Sequence, residues 1–211
     1  MRLAILANKE QKDEILSLGI SEDCRIYWLR SAEEIYRVST IDAIFDMLFE
    51  ENNYDPSYLK SFPSGTVFVN SVNKTIGEIG FPFIRINGWP GFLKRNLTEI
   101  ACITDEDKKQ AEKILISLNR KAEWIPDIKG FISARIVSMI INEAYFALEE
   151  NVSSKEEIDI AMKLGTNYPY GPFEWAKMIG LKNIAGLLTE LSQTEKRYQP
   201  ANLLVKESGE E

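Results

Sequence analysis

The chain has 211 residues, a hydrophobic fraction of 45%, a charged fraction of 27% and a formal net charge of -7. This composition is ordinary for a soluble globular protein, and the acidic balance argues against a nucleic-acid partner, which a cationic surface must hold. No apolar run reaches the ~18–20 residues that a membrane span needs. The two cysteines imply no disulfide framework. We therefore expect a cytoplasmic protein that makes no membrane contact.

The N-terminal half alternates apolar runs with short helical patterns, which predicts a parallel sheet with crossover helices. Pro126 marks the predicted boundary, so that residues 1–126 form an α/β domain. Thr104 or Asp105 should cap the last of its helices. We predict strands at residues 2–7, Arg25–Leu29, Ile41–Leu48, Thr66–Asn70, Phe83–Ile86, Ile100–Ile103 and Lys121–Ile125, and helices at Gln11–Leu18, Ala32–Val38, Pro56–Phe62 and Glu106–Leu118.

The C-terminal stretch, residues 127–211, is predicted to be all-helical. Its first helix carries apolar residues at three- and four-residue steps as far as Leu148, a stripe wide enough to be buried on more than one side. Ser153 or Ser154 should cap a second helix that stops at Gly165. After a turn rich in proline and glycine, a helix runs through Trp175 and Ile179, another runs from about Asn183 to Leu191, and the tail Glu207–Glu211 is expected to fray.

A set of characteristic residues runs through this stretch. They are Asp127, Gly130-Phe131-Ile132, Arg135, Glu143-Ala144, Ile158-Asp159, Gly165, Pro169, Gly171-Pro172-Phe173, Gly180-Leu181, Tyr198, Pro200 and Leu203. The pattern resembles the C-terminal domain of 3-hydroxyacyl-CoA dehydrogenases. The resemblance implies a helical domain that forms a homodimer and closes one side of an active-site cleft.

The N-terminal half resembles the same dehydrogenases more faintly. Ile41–Glu51 is similar to a family strand, matching it at Asp42 and Glu50, and Thr66–Asn73 is similar to the strand that leads to a Ser/Thr/Asn turn. Asn87–Ile100 lies over the family's histidine-containing segment. The resemblance implies a reduced Rossmann-like domain of parallel strands, followed by a helical dimerisation domain of the 3-hydroxyacyl-CoA dehydrogenase type.

The cofactor that the resemblance implies is NAD, but the residues that should bind it are missing. A Rossmann site needs a glycine-rich turn so that backbone N–H groups can approach the pyrophosphate. Here the turn Ile5–Lys12 has no glycine, and Ala7 and Lys9 stand where the family carries glycines. The interval before Asp42 is also too short for the helical insertion with which the family grips CoA. The sequence therefore does not identify the cofactor. We further expect an acyl or CoA-type ligand.

The catalytic positions that the resemblance implies are Asn87, Glu99 and Asn73. The family's histidine falls on Asn87, its orienting glutamate on Glu99, and its supporting serine near Asn73 or, with a slip, on Ser71. Two family asparagines are replaced by Pro90 and Ala134. The chain contains no histidine at all, and an asparagine amide cannot act as a base. Loss of a general base costs about 10²–10⁴ in rate.

Three functions remain as hypotheses. The first is a dimeric protein that binds an acyl ligand or a partner and lacks the dehydrogenase activity. The second is an oxidoreductase of fatty-acid metabolism with an altered site, in which Glu99 acts as the base. The third is a structural subunit of a complex with a separate catalytic chain. No metal site is expected, because Asp42 and Asp46 are better explained as polar strand ends.

Overall fold

The computed structural model describes residues 1–37, 40–52, 55, 57–60, 62 and 66–210. The chain divides into two compact units, Met1–Phe131 and Ile132–Glu211. The boundary predicted at Pro126 lies slightly earlier in the chain. Among the described residues, none of the helices has both the length and the apolar character that a membrane span requires.

The first unit is built on a seven-stranded sheet with the order β2-β1-β3-β4-β5-β6-β7. The strands are β1 (Arg2–Leu6), β2 (Arg25–Leu29), β3 (Ala43–Asp46), β4 (Thr66–Asn70), β5 (Ile84–Ile86), β6 (Leu97–Ala101) and β7 (Lys121–Trp124). The first five strands are parallel, whereas β6 runs antiparallel to β5 and parallel to β7. The predicted class, a reduced Rossmann-like sheet, is confirmed, and the reversal at β6 is a feature that the alternation of strands and helices did not predict.

The helices of the first unit are short except for the last. They are α1 (Lys9–Leu16), the 3₁₀ helix Ala32–Arg37, α2 (Phe49–Asn52), α3 (Ser57–Lys60), α4 (Ile76–Ile79) and α5 (Asp105–Ser117). Val38 and Pro56, which end and begin two predicted helices, lie outside the described residues. Thr104 caps α5. The single-turn helices α2 and α4 were missed, although α4 has a sequence signal in the capping box of Thr75 and Glu78.

Both faces of the sheet are covered, which explains why the inner strands β1, β3 and β4 are largely apolar. Leu3 and Ile5 pack on one side in a core with α1 and α5. Ala4 and Leu6 pack on the other side with the 3₁₀ helix and the short helices. The Phe45 and Phe68 rings stack at 4.2 Å between the strands β3 and β4. The sheet is therefore rigid, and its strand ends are fixed platforms for side chains.

The second unit is the predicted helical bundle. Its elements are α6 (Ser133–Glu149), α7 (Lys155–Thr166), α8 (Pro172–Ile179), α9 (Leu181–Ser192), the 3₁₀ helix Lys196–Tyr198 and α10 (Asn202–Ser208). The long helix α6 packs against α8, α9 and α10, as its wide apolar stripe predicted. It begins only at Ser133, because Gly130 and Phe131 adopt positive φ angles of 84° and 48°.

The prediction that the tail Glu207–Glu211 is frayed is wrong for Glu207. Helix α10 continues to Ser208, and the Glu207 carboxylate accepts a hydrogen bond from the Tyr145 hydroxyl at 2.7 Å. It also pairs with the Lys155 ammonium group at 2.7 Å. A run of charged residues at the end of a sequence does not reveal such partners, because they lie more than 50 residues away in the chain.

The turn between α7 and α8 is held by a buried carboxylate. Ser154 caps α7, and Asp159 of that helix accepts hydrogen bonds from the backbone N–H groups of Phe173 and Glu174 at 2.8 and 3.2 Å. These are donors that the first turn of α8 cannot satisfy within the helix. Asp159 approaches so closely that a Cβ atom on Gly171 would lie 2.3 Å from its Cγ. Position 171 therefore requires glycine.

We expect Gly171→Ala to lower the free energy of unfolding by about 1–3 kcal/mol, since the new methyl group must displace a capping carboxylate. The matched control is Gly165→Ala in α7, where a Cβ atom meets nothing within 4 Å. That substitution should be neutral or stabilise by up to about 1 kcal/mol. Urea unfolding of both variants measures the difference, and equal effects would show that the close contact is not needed.

Candidate functional site

The carboxyl ends of the parallel strands meet at one edge of the sheet, and this edge holds the candidate site. The chain passes from β1 to β2 on one side and to β3 on the other, so the point between β1 and β3 is the topological switch point at which doubly wound folds bind ligands. In this chain the Gln11 side chain lies there, fully buried. Its Nε2 donates to the carbonyl oxygens of Met47 at 3.0 Å and Gly88 at 3.2 Å.

The amino end of α1 is capped from within. The Gln11 backbone N–H donates to Asn8 Oδ1 at 2.9 Å, and the Asn8 backbone N–H donates to Gln11 Oε1 at 3.1 Å. These are donors of the kind that a Rossmann turn offers to a pyrophosphate. Ala7 is buried in the core, and Glu10 adds a negative charge to the first turn. The residues at this turn therefore do not fit a nicotinamide dinucleotide.

The loop that follows β5 folds back over α1 and closes the same crevice. The Glu14 carboxylate accepts hydrogen bonds from the Gly91 and Leu93 backbone N–H groups at 2.7 and 3.2 Å, and burial raises the pKa of Glu14. Gly88 packs so tightly that a Cβ atom there would lie 2.3 Å from Cε of Met47. Hydrogen bonds of the Gln11 and Glu14 side chains therefore join α1 to the loop after β5.

Two of the predicted site residues lie together. Asn87 directly follows β5, and its Nδ2 donates to Oε2 of Glu99 on β6 at 2.8 Å. The backbone N–H of Asn87 also donates to the Glu99 carbonyl oxygen at 3.0 Å. Asn87 is buried and Glu99 half-buried. The pair presents an oriented carboxylate beside an amide. This arrangement can accept or donate hydrogen bonds, but it contains no imidazole that could act as a base.

The third predicted residue, Asn73, lies in the turn after β4. Its backbone N–H donates to Oε1 of Glu50 at 2.7 Å. Ser71, the alternative position for the family's serine, is fully buried, and its hydroxyl lies within hydrogen-bonding distance of Glu50 Oε1 and of the Lys74 carbonyl oxygen. Ala134 is buried in α6. Asn73 and Ser71 thus contact the same glutamate, which the sequence alone did not identify as a site residue.

That residue is Glu50, in the first turn of α2. Its Oε1 also accepts the Lys74 backbone N–H at 3.2 Å. Its Oε2 is buried and makes no hydrogen bond with a described residue, while the Val72 backbone N–H also stabilises the charged carboxylate. Burial raises the pKa of Glu50. The sequence matched Glu50 to a family strand, but no spacing rule showed that the turn after β4 would fold onto it.

A buried arginine fixes the turn that holds Glu50. Arg85 of β5 is fully buried, and its guanidinium donates to the Ser71 and Val72 carbonyl oxygens at 2.9 and 3.3 Å. It also pairs with the Asp127 carboxylate at 2.5 Å and lies 4.7 Å from the centre of the Phe131 ring. Asp127 in turn accepts the Ile76 backbone N–H at the start of α4.

Comparison with known proteins places the strongest similarity in the second unit. Residues 130–208 match the family model described as 3-hydroxyacyl-CoA dehydrogenase, C-terminal domain. A 3-hydroxyadipyl-CoA dehydrogenase of Escherichia coli K12 is 48% identical over 82 residues, which is 38% of this chain and 17% of that protein. A 3-hydroxybutyryl-CoA dehydrogenase of Bradyrhizobium diazoefficiens is 38% identical over 106 residues, 49% of this chain and 36% of its own length. The matches thus span well under two thirds of these relatives.

Solved structures extend the likeness in fold to both units. The crystal structure of (S)-3-hydroxybutyryl-CoA dehydrogenase from Ralstonia eutropha matches with a TM-score of 0.72, covering 97% of this chain and 92% of that one at 20% identity. At this identity the likeness concerns the fold alone. The architecture is therefore shared along the chain, whereas the family model matches residues 130–208.

We expect Arg85→Met to lower the free energy of unfolding by about 3 kcal/mol or more, because it removes the donor to the Ser71 and Val72 carbonyl oxygens and the cation paired with Asp127. The control is Arg95→Met, since Arg95 is exposed and its guanidinium stacks on the Phe92 ring. It should cost less than about 1 kcal/mol. Denaturant unfolding compares the two, and a small effect at Arg85 would contradict the role given to its hydrogen bonds.

Proposed function

We propose that the protein is a dimeric acyl-ligand-binding or partner-binding member of the 3-hydroxyacyl-CoA dehydrogenase family, to which residues 130–208 are similar, without the family's NAD-dependent dehydrogenase activity. The observation that carries this proposal is the position of the Gln11 side chain. It is buried at the switch point and bonded to Met47 and Gly88, so a dinucleotide could enter only by breaking protein hydrogen bonds.

The second support is the absence of a base at the expected place. Nδ2 of Asn87 donates to Oε2 of Glu99 at 2.8 Å. An orienting carboxylate makes the same kind of hydrogen bond with a catalytic imidazole. An amide at this position cannot take the proton of a hydroxyl group. Cofactor binding and proton removal are thus both impaired, and each change alone would reduce the dehydrogenase reaction severely.

The second candidate function is an oxidoreductase with an altered site. The observation that favours it is the half-buried Glu99 carboxylate, which Asn87 orients and which could itself take a proton. This function predicts that NADH is oxidised in the presence of acetoacetyl-CoA, and that Glu99→Gln loses most of the rate. Absence of turnover in the unaltered protein rejects it.

The homodimer is proposed from the apolar surface of the helical unit. Asp159 is the sole buried residue of α7, whereas Ile160 and Leu164, one turn apart on the same face, are 53% and 82% exposed. Ile132 and Ile136, at the amino end of α6, are 48% and 54% exposed. Apolar groups exposed at helical spacing mark an interaction surface, and a second copy of the chain offers the same surface by twofold symmetry.

The binding proposal predicts which ligands stabilise the protein. A ligand at 100 times its dissociation constant should add about 2.7 kcal/mol to the free energy of unfolding. We expect acetoacetyl-CoA to raise the melting temperature and NAD⁺ and NADH to leave it unchanged, as measured by thermal-shift titration. CoA alone serves as the control for binding through the nucleotide. A shift with either nicotinamide cofactor would overturn the proposal and favour the second candidate.

The dimer proposal predicts the effect of a charge on α7. Leu164→Glu should move the monomer–dimer transition to at least about tenfold higher concentration, since a buried leucine contributes about 1.5–3 kcal/mol. The control is Ile116→Glu on α5, which is 67% exposed and lies in the other unit. Light scattering over a micromolar concentration series measures both. A monomeric unaltered protein, or a dimer insensitive to Leu164→Glu, would refute this interface.

A further inference from the structure

We infer that the first unit binds a phosphate group, free or as a monoester, through the guanidinium groups of Arg2 and Arg25 and the hydroxyl group of Tyr27. The two arginines stand at the amino ends of β1 and β2, and Tyr27 lies two residues further along β2. The candidate functional site lies at the carboxyl ends of the strands, so this is a second and separate site. The inference does not depend on the proposed function.

A cavity provides the space for this ligand. It has a volume of about 310 Å³ and is lined by Met1, Arg2, Asp23, Arg25 and Tyr27. Pockets for small molecules range from about 300 to 1,000 Å³, so the cavity has room for a phosphate group and for the organic part of a small ester. The lining carries the positive charges of two arginines, and its acidic residue is Asp23.

The two arginines project from the same face of the sheet. Arg2 and Arg25 are register partners on the neighbouring parallel strands β1 and β2, and such strands lie roughly 4.8 Å apart. Tyr27 follows Arg25 by two residues and therefore lies on that face as well. Like charges at neighbouring positions of a sheet repel each other. A dianion between the two guanidinium groups removes this repulsion, and the planar fork of arginine suits it because it donates two parallel hydrogen bonds to a phosphate.

No carboxylate among the described residues neutralises these two positive charges by an ion pair. The Asp42 carboxylate accepts the backbone N–H of Arg2 at 2.6 Å, but it does not pair with the guanidinium. The chain has a formal net charge of -7, so acidic partners are abundant, yet Arg2 and Arg25 have none within the described part of the chain. An anionic ligand supplies the missing charge.

The Arg2 side chain is oriented before a ligand binds. Its Nη1 donates to the Thr40 hydroxyl oxygen at 2.5 Å. Thr40 has a φ angle of 57°, a left-handed conformation that is an outlier for a β-branched residue, and residues in such strained conformations cluster at ligand sites. The hydroxyl is a neutral acceptor. This contact therefore fixes the guanidinium without neutralising its charge, and the other N–H groups of Arg2 remain for a ligand.

The test is calorimetric titration of the protein with inorganic phosphate in mildly alkaline buffer of low ionic strength, in which phosphate is a dianion. We expect a dissociation constant of about 1 mM or below. Acetate, a monoanion, should bind at least about tenfold more weakly at equal ionic strength, because it meets the two guanidinium groups with half the charge. Phenyl phosphate identifies the source: tighter binding than phosphate shows that the cavity takes an ester, weaker binding shows that it takes the free ion, and both results support the site.

Two substitutions assign the binding to the cavity. Arg25→Gln should weaken phosphate binding at least about tenfold, and Asp23→Asn should tighten it at least about twofold, because a like charge is removed from the lining. The matched control is Arg30→Gln. Arg30 follows the carboxyl end of the same strand and is exposed, so this change removes the same charge outside the cavity and should leave phosphate binding unchanged.

Arg25 is also exposed, and we expect Arg25→Gln to keep the melting temperature of the unaltered protein, which separates loss of binding from loss of fold. The inference is overturned if phosphate gives no heat of binding or binds no more tightly than acetate. Equal weakening by Arg25→Gln and Arg30→Gln, or a failure of Asp23→Asn to tighten binding, overturns it as well. None of these measurements uses an acyl ligand, so the proposed function stands or fails separately.

Discussion

The buried guanidinium of Arg85 is the interaction on which the edge of the sheet depends. It joins the turn after β4, through the Ser71 and Val72 carbonyl oxygens, to the segment Asp127–Phe131. A lysine could not replace it, because only the planar fork of arginine reaches carbonyl and carboxylate acceptors at once. The turn that Arg85 fixes is the one whose backbone donors orient Glu50. The buried guanidinium therefore sets the position of the Glu50 carboxylate.

The residues that differ from the family's motifs are connected by hydrogen bonds. Once the turn after β1 lacks glycine, its donors are satisfied by the Asn8 and Gln11 side chains, and Gln11 then bonds to the loop after β5. That same loop begins at Asn87, where a histidine would have to present a free nitrogen. The Gln11 contact and the Asn87–Glu99 pair thus lie at neighbouring positions of the same loop.

The fold could be predicted further than the site. Apolar runs marked all seven strands, and the capping serine and the glycine-proline turn marked the helices α7 and α8. The antiparallel β6 was not predictable, because a short apolar strand has no signal for its direction. At the site, the pairing of Asn87 with Glu99 followed from the resemblance, whereas Glu50 required the turn of residues 71–74, whose shape depends on the distant Arg85. Local patterns do not encode such contacts between elements.

The buried polar groups at this edge of the sheet cost free energy. Replacing buried charged groups by apolar residues of similar volume is often neutral or stabilising, so a sheet that served only as a scaffold would be at least as stable with apolar residues at positions 50 and 85. Here a half-buried glutamate keeps one oxygen without a donor among the described residues, although the crevice beside it is closed by Gln11 and Glu14. The backbone donors that the turn after β4 supplies to the other oxygen, Oε1, offset part of this cost.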